Sequence, residues 1–390
     1  MLYNKMAASS KIKLIYFLVY SSLGIWISFL NVYLEQSGFS GLEIGVINAI
    51  YVSTSIIVIP LGGVLSDRYG SYLILMVLSI ISGCLIYFLG SVSGFVLIAL
   101  MMFGLSIFNQ PINAVVDGIA LNQLNGGDRQ AYGTFRLWGS FGFATGALVT
   151  GYLSNWKSES IFTLSSMLLL FVSIFIIGRV NKNHQADKIG VNLNSLAFFY
   201  KNSRLRNVFL LILIFGISIS PLHYFINLYF TTIGATQSQI GLAFAVQAFF
   251  EIPLFFLGIR FLKKAGPEKV IIVAMLVSIL RMVLYGLTHD PQMAILIGLF
   301  HGFTISFFLI GVVEYVQKQT PSHLRTTAQS LILSFHFGAG LALGNVWIGY
   351  LKDLVGMHEV MLLQSLISMF VVVLTVYFFR GLNPLLKRAK

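Results

Sequence analysis

Charge is scarce in this chain. Only 10% of its 390 residues are Asp, Glu, Lys or Arg, while 57% are hydrophobic, and the mean hydropathy is +0.86. A soluble protein of this size has no use for so much apolar surface, so folding in water would leave large exposed patches and lipid is the expected solvent. Cysteine is nearly absent: Cys84 stands alone in an apolar run, which excludes an internal disulfide and gives no thiolate cluster for a metal. No G-x-x-x-x-G-K-[ST] run is present, so a nucleotide-driven pump is not indicated. The seven histidines show no H-x-x-x-H or H-E-x-x-H spacing. A membrane enzyme, which would need such a metal set or a nucleophile with its base, is therefore not expected, and neither is a cofactor. Met1–Ser10 is short and polar and carries no small-residue cleavage site, so insertion through the first apolar run itself is expected.

What the chain has is apolar runs. Crossing ~30 Å of hydrocarbon takes about 20 helical residues. Twelve segments qualify, at 12–34, 42–66, 72–91, 94–120, 135–154, 160–179, 207–231, 238–262, 268–288, 291–316, 326–351 and 358–380. The polar stretch Arg179–Asn207, with Lys182, Lys188, Lys201, Arg204 and Arg206, divides them into two sets of six. The expected fold is an all-α integral membrane protein of twelve transmembrane helices, built as two six-helix bundles over 1–180 and 207–390 with a linker over 181–206. With the N-terminus inside, Lys157 and Lys352 fall in outer loops, Arg136 and Arg281 fall within spans, and the other bases group on the inner side. That asymmetry places both termini in the cytoplasm and the protein in the plasma (inner) membrane as a multi-pass chain. It also accounts for the net charge of +12 by anionic inner-leaflet lipid, without nucleic acid as a partner. A monomer is expected.

The two halves repeat. A shift of 196 residues places Asn31 on Asn227, Tyr33 on Tyr229, Gly38 on Gly234, Ile44 on Ile240, Gly45 on Gly241 and Gly70 on Gly266. Gly151-Tyr152-Leu153 recurs as Gly349-Tyr350-Leu351 at a shift of 198. Such a parallel duplication puts a binding site near the bilayer midplane, where the halves meet. Two runs carry glycine at near-helical spacing, Gly139, Gly142, Gly146 and Gly151 in the fifth span and Gly338, Gly340, Gly344 and Gly349 in the eleventh. Small residues let membrane helices touch backbone to backbone, as static packing or as sliding ridges.

Ionisable groups inside a membrane are costly and mark function. Asp117 lies late in the fourth span, Arg136 opens the fifth, Glu251 is midway along the eighth, Arg281 is in the ninth and His301 in the tenth. Asp117 and Arg136 flank one short inner loop, so they can neutralise each other at a helix boundary or grip a polar solute. Glu251 can carry a proton, because burial and a nearby cation push a carboxyl's affinity for protons in opposite directions. His301 is either a satisfied core histidine or a titrating, substrate-bonding one. Asn48, Asn109, Gln110, Asn113, His223, Tyr224, Asn227 and Gln247 add uncharged polar groups, some beside Pro111 and Pro221, where backbone carbonyls are freed. Tyr16, Tyr20, Trp26 and Trp138 are candidates for stacking on a ring, although interface anchoring explains any one of them alone.

The segment Pro60–Gly70, P-L-G-G-V-L-S-D-R-Y-G, places a glycine-flanked Asp-Arg turn between two membrane-length helices. It resembles the G-x-L-a-D-r-x-G-r-k signature of major facilitator superfamily transporters, with Gly63, Leu65, Asp67, Arg68 and Gly70 matching and Ser71 and Tyr72 departing from the basic pair. The resemblance implies a cytoplasmic gate at Gly63, Asp67, Arg68 and Gly70. The second copy, Arg260–Gly266, keeps the bases and the glycine but has Lys263 where Asp67 stands, so the two inner gates are not equivalent. Tyr132–Phe143 and His301–Val316 look like segments of lactose permease-like and nucleoside:proton symporters. Glu251–Phe256 and Ile279–Met282 are similar to nucleoside symporters and the phenylpropionate permease group. In lactose permease-like carriers an acid in the fourth helix and an arginine in the fifth grip the sugar; Asp117 and Arg136 fall at similar positions. Arg281 and His301 fall on that family's proton and sugar network. Its glutamate one turn after the histidine is Thr304 here and its lysine one turn before is Gly298. Glu251 is then the implied proton carrier, by likeness to the nucleoside carriers, whose own acid before the Phe-Phe pair is Ser306 here.

The expected function is secondary active transport by alternating access, as symport of a proton with a small polar solute, sugar or nucleoside. Asp117, Arg136, Asn109, Asn113, Asn227, Gln247 and His301 are the expected substrate contacts, and Glu251, Arg281 and His301 the proton-coupling set. The alternatives are proton antiport exporting amphipathic compounds, an aromatic acid permease, and a membrane receptor or scaffold without transport. The clustered Asn109, Gln110 and Asn113 speak against the first of these.

Overall fold

In lipid no water satisfies the backbone, so a spanning segment bonds to itself and becomes a helix. The computed structural model describes residues 2–124, 129–153, 159–179 and 195–387, and it is helical almost throughout. The first half holds α1 (Leu2–Ile27), α2 (Leu30–Gln36), α3 (Gly41–Ser53), α4 (Ser55–Tyr69), α5 (Ser71–Leu89), α6 (Phe95–Phe108), α7 (Gln110–Gln123), α8 (Arg129–Leu153) and α9 (Glu159–Ile176). The second holds α10 (Ser195–Lys201), α11 (Ser203–His223), α12 (Ile226–Thr232), α13 (Gln237–Ala265), α14 (Pro267–Leu287), α15 (Pro291–Ile297), α16 (His301–Lys318), α17 (Arg325–Leu333), α18 (Leu341–Val355) and α19 (Met357–Lys387). Eleven helical stretches among the described residues are long and apolar enough to cross a membrane. The twelfth expected span, 135–154, falls in α8, a 25-residue helix diluted by glycine and polar residues. The linker residues 181–194, with Lys182 and Lys188, lie outside the described residues, as does Lys157.

The duplication is visible element by element. α2 and α12 occupy the same register at the 196 offset, and α3, α5 and α6 begin 196 residues before α13, α14 and α15; α9 and α19 begin 198 apart. Gly38 (φ 89°) and Gly234 (φ 73°), like Gly70 (φ 95°) and Gly266 (φ 82°), hold left-handed backbone at matching turns. A β-carbon is strained there, so the turns require glycine in both copies. The first span of each half is interrupted at the same register. α1 ends before Ser28–Phe29 and α11 before Tyr224–Phe225, whereas unbroken spans over 12–34 and 207–231 are expected from hydropathy. A π-helical turn over Ser334–Gly340 joins α17 to α18.

Contacts divide the chain into two units. One comprises Met1–Phe39, Ile50–Gly190 and Ala235–Phe249; the other comprises Ser40–Ala49, Val191–Gly234 and Phe250–Lys390. In the first unit, α1 and α8 meet with almost no side chain separating them. A β-carbon at Gly142 would collide with the Phe17 carbonyl, one at Gly146 with that of Ser21, and one at Gly24 with that of Phe143. Such proximity brings Ser21 Oγ within 3.0 Å of the Gly142 carbonyl, to which it donates, and lets Ser22 Oγ reach Ser165 Oγ of α9 at 2.8 Å. The last glycine of the ridge, Gly151, turns instead to the start of α13, against Gly241, and its carbonyl accepts from Ser238 Oγ at 3.0 Å.

The second unit repeats the device. Gly340 and Gly344 of the eleventh span pack on the backbone of α11, near Leu213 and Ile217, and Ser220 Oγ donates to Asn345 Oδ1 at 2.6 Å. The last glycine, Gly349, faces Gly41 of α3. Here an anchor is added. The Asp353 carboxylate accepts from the backbone N–H of Gly41 at 2.7 Å and of Leu42 at 2.8 Å, capping the amino end of α3, where the helix dipole favours a negative charge.

Gly142→Val therefore forces α1 and α8 apart at the cost of about 1–3 kcal/mol of overpacking, whereas Gly63→Ala enters open space, with no atom within 4 Å of the new methyl. Thermal denaturation of the purified protein in detergent is expected to show a clear drop in midpoint for the valine variant and none beyond error for the alanine variant.

Candidate functional site

In the first unit the polar residues gather around α7. Arg136 of α8 donates from Nη1 to Asp117 Oδ2 at 3.1 Å, and Tyr16 of α1 donates its hydroxyl to Asp117 Oδ1 at 2.6 Å. The carboxylate is therefore held from two helices. Tyr16 itself is fully buried and stacks between Tyr20 (6.0 Å) and Phe135 (6.3 Å). Arg136 remains half-exposed, at 52% of its side chain, and Asp117 at 25%. A pair this wet contributes little to folding. One turn and two turns earlier on the same helix, Asn113 is half-buried and Asn109 is buried. Asn109 Oδ1 accepts from the Tyr51 hydroxyl at 2.9 Å, while Gln110 Nε2 donates to the Tyr51 carbonyl at 3.1 Å. Tyr51 meets Trp26 edge-on at 5.5 Å. Gln247 of α13 is buried, and its Nε2 has no hydrogen-bond partner among the described residues.

The gate motif ends α4. Asp67 and Arg68 are exposed in its last turn, Arg68 lies 5.2 Å over the Tyr69 ring, and Gly70 makes the turn into α5. The close approach is made by Gly62, whose missing β-carbon admits Pro111 of α7, and not by the signature glycine Gly63, around which the space is open.

In the second unit Arg281 of α14 is fully buried. Its Nη1 donates to Thr304 Oγ1 of α16 at 2.7 Å and lies 3.5 Å from His301 Nδ1; Thr304 in turn donates to the His301 carbonyl at 2.7 Å. Tyr285, one turn further along α14, presents its ring 5.8 Å from the guanidinium carbon. Glu251 is half-buried in the middle of α13, and its Cα packs on Gly302, next to His301, where a β-carbon would not fit. Asn227 is buried at the start of α12 and accepts from the Leu228 N–H at 2.9 Å.

A residue without a sequence signal belongs to this group. His336 sits in the π-helical turn, fully buried, its Nδ1 3.4 Å from the Ile212 carbonyl. It packs on Phe308 at 4.7 Å and reaches His223, at the end of α11, at 6.3 Å. Neither His223 Nε2 nor His336 Nε2 has a hydrogen-bond partner among the described residues. Widened turns of this kind often mark functional positions. The available hint was a lone histidine beside the glycines of the eleventh span. Among the described residues no group of three or more His, Cys, Asp or Glu is arranged to hold a metal.

Comparison with known proteins follows this geometry. Residues 9–363 match the model of the MFS_1 like family. The maltose permease of Geobacillus stearothermophilus is 25% identical over 87% of this chain and 86% of its own. The putative nucleoside transporter YegT of Escherichia coli strain K12 is also 25% identical, over 87% of this chain and 83% of its own. The crystal structure of a variant of the nucleoside transporter NupG superposes with a TM-score of 0.88 at 18% identity, covering 95% of this chain and all (100%) of the other. The multi-pass helical fold is shared with the superposed carrier, and no enzyme is among these relatives. The chain belongs to the MFS_1 like family, has the major facilitator fold, and is a secondary transporter of small molecules rather than an enzyme.

Proposed function

We propose that the protein couples inward proton flow to uptake of a small polar organic solute, with Glu251 as the proton carrier. The observation that carries this reading is a carboxylate midway along the 29-residue membrane helix α13, packed by its Cα on Gly302 beside His301. A carboxyl at that depth is costly when charged and inexpensive when neutral, so its protonation can be tied to the state of the carrier. The relatives supply the solute class: a maltose permease and a putative nucleoside transporter suggest a sugar or a nucleoside. Arg136, Asp117, Asn109, Asn113 and Gln247 in one unit and Asn227 and His301 in the other are the proposed solute contacts. The halves 1–180 and 207–390, joined by 181–206, are proposed to exchange access by rocking, supported by their helix-for-helix repetition. Asp67 and Arg68, with Gly63 and Gly70, are the proposed inner gate. Base placement supports a single chain in the inner membrane with both termini in the cytoplasm and anionic lipid around the inner loops.

Glu251→Gln is expected to abolish uphill, gradient-driven uptake in proteoliposomes while solute counterflow persists. Undiminished accumulation by that variant rejects Glu251 as the carrier.

Asp117→Asn separates two roles for the pair with Arg136. Because the pair is half-exposed, the thermal stability of this variant is expected to change by less than about 1 kcal/mol. Its counterflow rate at low solute is expected to fall at least about tenfold, as removal of a charged hydrogen-bonding partner does. A large loss of stability with intact counterflow would make the pair a helix fastener only.

A further inference from the structure

Arg281 poses an unresolved problem of charge. It is fully buried, and among the described residues no carboxylate, Glu251 included, lies within 4.0 Å of it. An isolated cation at membrane depth is expensive unless an anion meets it. One turn after His301 stands Thr304, whose hydroxyl accepts from Nη1 at 2.7 Å. The threonine supplies a hydrogen bond and no charge.

The unused donors identify what is missing. Nη1 is engaged by Thr304 and faces His301, whereas Nε and Nη2 are buried without a hydrogen-bond partner. Nε–H and the adjacent N–H of Nη2 point the same way and form the side-on fork of a guanidinium, which matches the two oxygens of a planar carboxylate. The neighbours are also suited to an anion. His301 Nδ1 lies 3.5 Å from Nη1, and His223 Nε2 is a further buried nitrogen with no hydrogen-bond partner among the described residues.

We infer that the missing counter-charge arrives with the cargo: the carrier's solute is an organic acid whose carboxylate seats on the Nε/Nη2 fork of Arg281. Both nitrogens are shielded from solvent in this structure, while His301, whose Nδ1 lies 3.5 Å from Nη1, is a half-buried residue. On this reading Arg281 is neutralised only when the solute is aboard. This inference rests on the reading as a solute carrier and narrows its cargo from polar solutes in general to acids.

The test needs no variant at first. Purified wild-type protein is titrated calorimetrically with matched pairs: D-glucuronate and D-glucose, 3-phenylpropionate and 3-phenylpropanol, and adenosine-5′-carboxylate and adenosine. The acid of at least one pair is expected to bind at least about tenfold more tightly than its neutral partner. Arg281→Gln should erase that preference, and Arg281→Lys, which keeps the charge and loses the fork, should recover only part of it. A panel in which no acid binds, a neutral member that binds as tightly as its acid in every pair, or a preference that survives in Arg281→Gln each overturns the inference. A neutral sugar or nucleoside accumulated with a proton through Glu251 would leave the symport reading standing and remove the acid. An acid bound at Arg281 yet carried without proton coupling would do the reverse.

Discussion

Lipid removes the usual reason for helices to associate. Leucine is as content against an acyl chain as against another leucine, so packing relies on close backbone contact and on polar groups that find each other across it. The glycines of α8 and of the eleventh span supply that contact. Where they let α1 and α8 touch, serine hydroxyls fall within reach of carbonyls on the opposite helix; where they let α11 and α18 touch, Ser220 reaches Asn345. The polar framework is thus a consequence of the glycine ridges. In both ridges the terminal glycine leaves the inner partner and meets a helix from the other half of the sequence, Gly151 against Gly241 and Gly349 against Gly41. The two contacts are not equivalent, because only the second, among the described residues, carries a carboxylate cap, that of Asp353.

Much of this was legible because the informative residues have only one physical use in their setting. A glycine at a left-handed turn cannot be replaced without strain, so the 196-residue offset survives at Gly38/Gly234 and Gly70/Gly266 and marks the duplication. Apolar runs marked eleven of the twelve expected spans for the same reason, while α8, diluted by glycine and polar residues, is not apolar enough to stand out by composition. The breaks at Ser28–Phe29 and Tyr224–Phe225 were not legible, since hydropathy is blind to backbone direction and one serine or tyrosine does not interrupt an apolar run. The signature pointed to Gly63, yet Gly62 makes the contact with Pro111. Neighbouring residues on a helix point about 100° apart, and a motif alone does not say which of two adjacent glycines faces a partner. His336 was hidden because a π-helical turn has no compositional mark, and one extra residue per turn re-aims every side chain beyond it.

The two arginines within expected spans show how position decides what a charge can do. Arg136 keeps half of its side chain in contact with solvent and has Asp117 at 3.1 Å. Solvent contact and the carboxylate are both open to it in this structure, so its charge is not left unmatched. Arg281 is fully buried, and among the described residues no carboxylate lies within 4.0 Å of it; the neutral hydroxyl of Thr304 is at 2.7 Å, His301 at 3.5 Å, and the Tyr285 ring 5.8 Å from the guanidinium carbon. A protein under no functional demand would lose this charge to a leucine or methionine, because replacing a buried ion with apolar volume is commonly neutral or stabilising.

A buried, unmatched Arg281 calls for a state in which its charge is met, and the inference above assigns that role to the loaded carrier. If an internal acid neutralised Arg281 permanently, empty and loaded forms would be equally comfortable and solute would have no leverage on the conformational balance. When the anion comes with the solute, the free energy of its pairing belongs entirely to the loaded form, and binding and conformational change become linked through one side chain. Glu251, one helix away on α13 and packed against the residue following His301, is placed to report its own protonation to the same pair of helices, α14 and α16. Proton and cargo would then act on a single charged locus from two sides, the proton by removing a negative charge and the cargo by adding one.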